Sequence, residues 1–261
     1  MKTLFLILCL ATPVISGELS SQTPGLVAYI KFDEGSGMYV RDASGHGLNG
    51  TIEGTTAWVS GIHGSAMEFI SNDSKITTPN TIPSNTGFSL GAWFFVTPRP
   101  FDNGVGYSLN LTDPSFSVYQ PTIQMGGLPY GVAPCDPNQN VLGATYVSVN
   151  VNTYAGGINN YMTWGCVRAD NSWSHIVANY IQGSNTVEIY INGVRSPHTD
   201  IATALMDTGN LTLSMGDFPG FSGGLWAGMK LDDVFVFNKG LTSGEIQRIY
   251  TSSLGRYSNV R

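Results

Sequence analysis

Nine short runs, each bounded by turn residues, limit most strongly what this chain can fold into. They are GLVAYIKF (25–32), SAMEFI (65–70), FSLGAWFFV (88–96), YSLNL (107–111), ATYVSVNV (144–151), SHIVANYI (174–181), TVEIYI (186–191), LTLSMG (211–216) and LDDVFVF (231–237). Their β-branched and aromatic content, and the Gly, Asn, Ser and Pro between them, predict many short strands, as in a sandwich or barrel. TVEIYI followed by Asn192-Gly193 is the best hairpin, since a type I′ turn needs two positive-φ residues. A single short helix is expected near the end. Thr242 and Glu245 have capping-box spacing, and Ile246, Ile249 and Tyr250 follow on one face.

The stretch GHGLNG (45–50) spells G-x-G-x-x-G, the spacing of a dinucleotide-binding turn. That turn works only where a helix opens behind it, because the pyrophosphate sits on the helix N-terminus. Here Thr51, Ile52 and Glu53 run into Gly54, so no helix opens and the glycines are read as turn residues.

The first seventeen residues carry Lys2, the apolar run LFLILCLATPVI and then Ser16-Gly17, the pattern of a secretory signal peptide. That run is too short to span a bilayer, and no later stretch is long enough. The expected organisation is a signal over 1–17 and one domain over 18–261, with an irregular, Pro-, Gly- and Asn-rich insert at about 98–165. Cys9 leaves with the signal, so Cys135 and Cys166 are expected to pair, two free thiols being the alternative. Asn49, Asn72, Asn110 and Asn210 head N-x-Ser/Thr triplets and are glycosylation candidates in a eukaryotic secretory pathway. With 12 basic against 18 acidic residues the chain is a poor partner for nucleic acid or anionic membranes.

The order of motifs is informative: GLVAYIKFDEGSG, VRDASGHGLNGTIEG, GSAMEFI, FSLGAWFFV, SWSHIVANY, VEIYINGV and LDDVFVFNKGLTSGEIQRIY. It resembles a laminin G-like jelly roll of the concanavalin A-like lectin/glucanase superfamily, from about Gly25 to Tyr250. The resemblance implies an all-β sandwich of two antiparallel sheets. It identifies DASGHGLNG with the family's turn after the first strands, in which Asp42 accepts backbone N–H groups. Many relatives hold calcium where the first and last strands meet, using backbone carbonyls and an Asp side chain, and the matching positions here are Asp232 and Asp42 with the carbonyls of its Gly-rich turn. The alternative for both is an aspartate held by hydrogen bonds alone. The 98–165 segment departs from the family pattern.

Glycoside hydrolysis needs two carboxyl groups at a set separation. The glucanase pattern Glu-x-Asp-x-x-Glu is absent, Asp33-Glu34 and Asp232-Asp233 alternate across a strand, and Glu188 stands alone. Sugars stack on exposed aromatic faces and take hydrogen bonds from Asn, Asp and Gln, which makes Trp226, Trp164 and Tyr130 the candidate ligand contacts. Trp93, Trp173 and His175 sit in strand patterns and are expected to be structural. The expected function is a secreted, non-catalytic module binding glycan or glycoprotein, with calcium as candidate cofactor. The alternative is a structural component of an extracellular matrix, such as a shell or skeletal organic matrix, making protein–protein contacts. A hydrolase resting on Glu188 or Asp217 ranks third.

Overall fold

The computed structural model describes residues 19–71, 73–83, 87–96, 105–112, 119–126, 144–154, 158–168, 170–201, 209–216 and 228–258. In chain order the strands are β1 (Leu26–Ile30), β2 (Tyr39–Val40), β3 (Gly50–Glu53), β4 (Thr56–Ser60), β5 (Ser65–Phe69), β6 (Lys75–Thr77), β7 (Ile82–Pro83), β8 (Phe88–Val96) and β9 (Val105–Thr112). They continue with β10 (Tyr119–Gly126), β11 (Ala144–Tyr154), β12 (Ile158–Arg168), β13 (Ser172–Ile181), β14 (Thr186–Ile191), β15 (Val194–Ile201), β16 (Asn210–Met215) and β17 (Met229–Phe237), before helix α1 (Ser243–Ser258). All pairings are antiparallel. One sheet runs β15-β14-β13-β8-β17-β5-β4, with β1 also on β17; the other runs β12-β11-β10-β9-β16-β6-β3-β2, with β7 on β16. This is a two-sheet jelly-roll sandwich of the concanavalin type, as expected.

The two sheets differ in what covers their outer faces. The central strands of the eight-stranded sheet, β8, β13, β14 and β17, are buried at nearly every described position because both of their faces are covered. Ile176, Ala178, Val187, Ile189, Val234 and Val236 point to the inter-sheet core. Val177, Tyr190, Phe235 and Phe237 point the other way and pack with Leu241, Ile246 and Ile249 around α1. Each such large side chain contributes about 1.5–3 kcal/mol by leaving water. The helix starts at the expected capping box: Glu245 N–H donates to Thr242 Oγ1 (3.2 Å) and Thr242 N–H donates to Glu245 Oε2 (2.7 Å).

Asn192 (φ 50°) and Gly193 (φ 76°) make the turn between β14 and β15. Trp93 is buried in β8 beside His175, as expected, and Trp173 is half-buried with its ring edge-on to Phe95. His175 is fully enclosed, and burial pushes its imidazole down to about 3, so it stays neutral.

The segment 98–165 corrects the expectation of an irregular insert. It supplies β9, β10, β11 and most of β12, half of the nine-stranded sheet. Its Pro, Gly and Asn clusters fall between long strands such as ATYVSVNVNTY rather than within them.

Close packing between β8 and β17 generates one prediction. A Cβ on Gly91 would lie 2.3 Å from Cζ of Phe235. Gly91→Ala should lower unfolding free energy by about 1–3 kcal/mol through overpacking, read by denaturant melts; an unchanged midpoint would show that Phe235 yields freely.

Candidate functional site

Asp42 closes the turn that begins as GHGLNG. Its Oδ1 accepts the N–H of Tyr29 (3.0 Å) and of Ser44 (2.9 Å). Its Oδ2 accepts the Leu48 N–H (3.0 Å) and the Ser44 hydroxyl (2.8 Å). Asn49 Oδ1 in turn accepts the Asp42 N–H at 2.9 Å. Burial works against the charge, but the Ser44 hydroxyl and the three backbone N–H groups outweigh it and hold the carboxyl below its usual range. Gly45 (φ 89°) and Gly47 (φ 76°) take left-handed conformations. At Gly50 a Cβ would sit 2.7 Å from both Val40 and Ile76 side chains, so the third glycine of the motif answers to packing.

Asp232 lies where β17 changes partners. Met229–Leu231 pair with β5, and Val234–Phe237 pair with β1 along the same edge. Between them the backbone breaks step, with Asp233 at φ 48°. Asp232 is 0 % exposed. Its Oδ2 accepts the N–H groups of Ile62 (2.9 Å) and His63 (3.1 Å), and Oδ1 accepts the Asp233 N–H (2.8 Å). Asp233 accepts the Tyr29 hydroxyl at 2.6 Å and faces His63 Nε2 at 3.7 Å. Desolvation first, then the charge of Asp233, push the Asp232 carboxyl up to about 9 against these N–H bonds.

These surroundings do not fit the calcium expected at Asp42 and Asp232. Calcium needs several outward-facing oxygens. All four acceptor positions of Asp42 meet donors, and Asp232 is enclosed by three N–H groups and favours its protonated form. Among the described residues no group of three or more His, Cys, Asp or Glu is placed to hold a metal ion. The two aspartates tie loops to the strands. His63, to which no role was given, proves to be part of the second tie; nothing in its spacing announced it.

The nine-stranded sheet shows a different feature. Its registers place Tyr39 opposite Thr51, Thr51 opposite Thr77, Thr77 opposite Ser214, and Ser214 opposite Asn110. The same row continues through Thr122 and Asn150 to Met162. Ile52, Ile76, Leu109 and Leu213, one residue away, point into the core. Strand alternation therefore turns Tyr39, Thr51, Thr77, Ser214 and Asn110 away from that core, although at Ser214 and Asn110 the reverse side is covered as well. Tyr39 is 67 % exposed, Thr51 exposed and Thr77 half-buried. Ser214 is 1 % exposed and its hydroxyl finds no hydrogen-bond partner. Glu53 and Lys75 flank the row and pair at 3.3 Å.

The candidate ligand residues fare unevenly. Trp164 stands opposite Ser148, two residues along β12 from Met162. Trp226 and Tyr130 lie outside the described residues, as do Asn72, Cys135 and Asp217. Cys166 is half-buried in β12. Asn49 and Asn210 are exposed. Asn110 corrects its expectation: at 0 % exposure within β9 it has no room for a glycan in the folded chain. Tyr39 was missed, because one aromatic beside Met38 carries no pattern until register places it at the end of the row. Glu188 is buried and accepts from Asn179 (3.1 Å), Tyr190 (3.0 Å) and Arg195 (2.9 Å), a structural commitment with no second carboxylate in the network.

Two antiparallel sheets, one sealed by a helix and the other faced with hydroxyl and amide residues, define a concanavalin-like sandwich. The chain belongs to the Concanavalin A-like lectin/glucanases superfamily, whose laminin G family model matches residues 70–247. No curated protein matches it by sequence. Among solved structures it is similar to domain 4 of AbnA, a GH43 extracellular arabinanase from Geobacillus stearothermophilus, in complex with arabinotriose. That likeness has 18 % identity and a TM-score of 0.59, covering 86 % of this chain and 98 % of that one. It is also similar to the binding domain of Paraclostridial Mosquitocidal Protein 1 (18 % identity, TM-score 0.64, covering 87 % and 52 %). A third is the botulinum neurotoxin serotype D binding domain (12 %, 0.60, 87 % and 52 %). The chain spans about half the length of the two toxin domains. At these identities the likeness shows the fold alone.

Asp232 yields a prediction with a definite sign. Its folded value of about 9 lies above the ordinary 3.8, so the native state holds a proton that the unfolded chain has released between them. The stability this group contributes is complete below about pH 4 and is lost as pH rises toward 9. Asp232→Asn cannot titrate. The stability gap between wild type and variant should narrow steadily from pH 4 to 9 in urea melts, and a gap that widens would contradict the assignment.

Proposed function

We propose that the chain is a secreted, non-catalytic module that binds glycan on the outer face of its nine-stranded sheet. The observation that carries the reading is the exposed start of the row at the sheet edge, Tyr39 and Thr51 with half-buried Thr77 beside them. An exposed tyrosine offers a face for a sugar ring, and the threonine hydroxyl groups behind it offer directional hydrogen bonds. The opposite sheet has no such face, because α1 and its apolar cluster cover it. Support also comes from similar folds: one is a domain crystallised with arabinotriose, and two are binding domains of toxins. Glu188, committed to Asn179, Tyr190 and Arg195, supports the non-catalytic side of the reading.

Residues 1–17 serve in this reading as the secretory signal, Cys135 and Cys166 as a disulfide, and Asn49, Asn72 and Asn210 as glycan acceptors. No helix among the described residues is long and apolar enough to cross a membrane. Trp226, Trp164 and Tyr130 remain proposed ligand contacts.

A glycan array of the secreted protein, with and without EDTA, tests the reading. Binding should survive EDTA and fall in Tyr39→Ala by about tenfold, the loss of one stacked aromatic contact. Binding abolished by EDTA would reinstate calcium. Silence on the array, with the protein instead recovered in insoluble extracellular material, would favour the matrix alternative.

A further inference from the structure

We infer that Asn49 carries the chain's own N-linked glycan, that the first sugar of this glycan rests on Tyr39, and that it thereby holds the exposed sheet edge against outside ligands. The inference rests on the proposed glycan-binding face and names a regulation of that face.

Register and exposure carry the first part. Tyr39 is the one exposed Phe, Tyr or Trp among the described residues, at 67 %. It lies on the edge strand β2 opposite Thr51, and Val40 lies opposite Gly50. The next step along that ladder brings Asn49 level with Arg41. Burial alternates without a break from Leu48 to Glu53: Leu48, Gly50 and Ile52 are buried, while Asn49, Thr51 and Glu53 are exposed. Asn49 and Thr51 therefore project on the same side as Tyr39, away from the core. Tyr39 and Asn49 are diagonal cross-strand neighbours, with backbones about 7–8 Å apart, a gap that one sugar ring attached to the asparagine can bridge.

The chemistry of the triplet carries the second part. Asn49-Gly50-Thr51 is an N-x-Thr acceptor. Asn110 is buried, and Asn210, though exposed, stands opposite Pro83 and not an aromatic. The Asn49 carboxamide is already oriented, because its Oδ1 accepts the Asp42 N–H at 2.9 Å. Its Nδ2, the atom that takes the sugar, is thereby turned away from Asp42. In the transfer, Nδ2 forms a bond to C1 of the first N-acetylglucosamine and gives up one proton. The bond from C1 to the pyrophosphate of a lipid-linked oligosaccharide breaks. Oδ1 is untouched, so the hydrogen bond to Asp42 survives.

The exposed ring supplies the third part. A tyrosine this exposed leaves an apolar surface in water, and the C–H face of a sugar covers it. The Thr51 hydroxyl and the exposed Arg41 guanidinium offer hydrogen bonds to the same sugar. A tethered sugar stands at Tyr39 at an effective concentration of about millimolar, so an incoming ligand competes with it.

The test uses protein secreted from eukaryotic cells beside two variants. Asn49→Asp takes no sugar and keeps an oxygen for the Asp42 N–H; Thr51→Ala breaks the triplet and leaves Asn49 intact. Peptide mass spectrometry should find Asn49 occupied in the wild type alone. Nitration of Tyr39 by tetranitromethane should be about fivefold slower in the wild type than in either variant, and should stay slow after an endoglycosidase trims the glycan to its first sugar. On a glycan array Asn49→Asp should give signals about fivefold stronger than the wild type; circular dichroism checks that both variants fold. An unoccupied Asn49, or equal nitration in all forms, would overturn the inference and leave the glycan-binding reading to its own test. Slow nitration with unchanged array signals would overturn the regulation. Slow nitration with an array silent for every form would overturn the underlying glycan-binding reading and leave the contact between Asn49 glycan and Tyr39 standing.

Discussion

Everything in the sandwich depends on a strand that serves two partners along one edge. β17 pairs with β5 through Met229–Leu231 and with β1 through Val234–Phe237, while β8 runs along its other side. A ladder cannot change partners without leaving backbone groups exposed at the junction, and buried backbone groups must be paired. Asp232 and Asp233 meet that demand. One carboxyl takes the N–H groups of Ile62 and His63 from the β4–β5 turn, and the other takes the Tyr29 hydroxyl from β1. The left-handed φ of Asp233 and the raised proton affinity of Asp232 are the costs of putting two acidic residues there.

Once that junction is fixed, the division of labour between the sheets follows. Joining β1 and β5 to β17 completes the sheet on which α1 docks, and Phe235 and Phe237 turn outward beneath the helix because the irregularity at Asp232–Asp233 resets the alternation of β17. Among the described residues no helix packs on the other sheet, and its positions turned from the core include Thr51, Thr77, Ser214 and Asn110. The same alternation that buries Ile52, Ile76, Leu109 and Leu213 presents Thr51, Thr77, Asn110 and Ser214 on the reverse. Asp42 does for the β2–β3 turn what Asp232 does for the β4–β5 turn, tying it back to β1 beside the edge strand that carries Tyr39.

The sequence speaks most clearly where a residue answers to local chemistry. The capping box at Thr242 and Glu245, the Asn192-Gly193 turn and the strand character of FSLGAWFFV each depend on neighbours within a few residues, and each is legible. Asp42 is legible too, because its partners Ser44 and Leu48 are close in sequence. The row is not. Tyr39, Thr51, Thr77, Ser214 and Asn110 come from five strands, and only the pairing register aligns them. Asn110 is instructive: its triplet reads as a surface signal, but strand alternation and the covering of the face bury it. The surroundings of Asp42 and Asp232 are hidden for a similar reason, since the N–H groups that reach their oxygens come in part from turns distant in sequence. The long segment 98–165 misleads because its turn-rich connections dominate the eye while its strands are long and regular.

The central claim is that ligand is recognised on the outer face of the nine-stranded sheet. Amide hydrogen exchange, measured with and without a long neutral oligosaccharide, tests it most directly. The account predicts slowed exchange in β2, β3, β6 and β16, centred on Tyr39, Thr51, Thr77 and Ser214, with β13, β14 and α1 unchanged. Protection confined to α1 and the sheet beneath it would contradict the account and place recognition on the face described here as sealed.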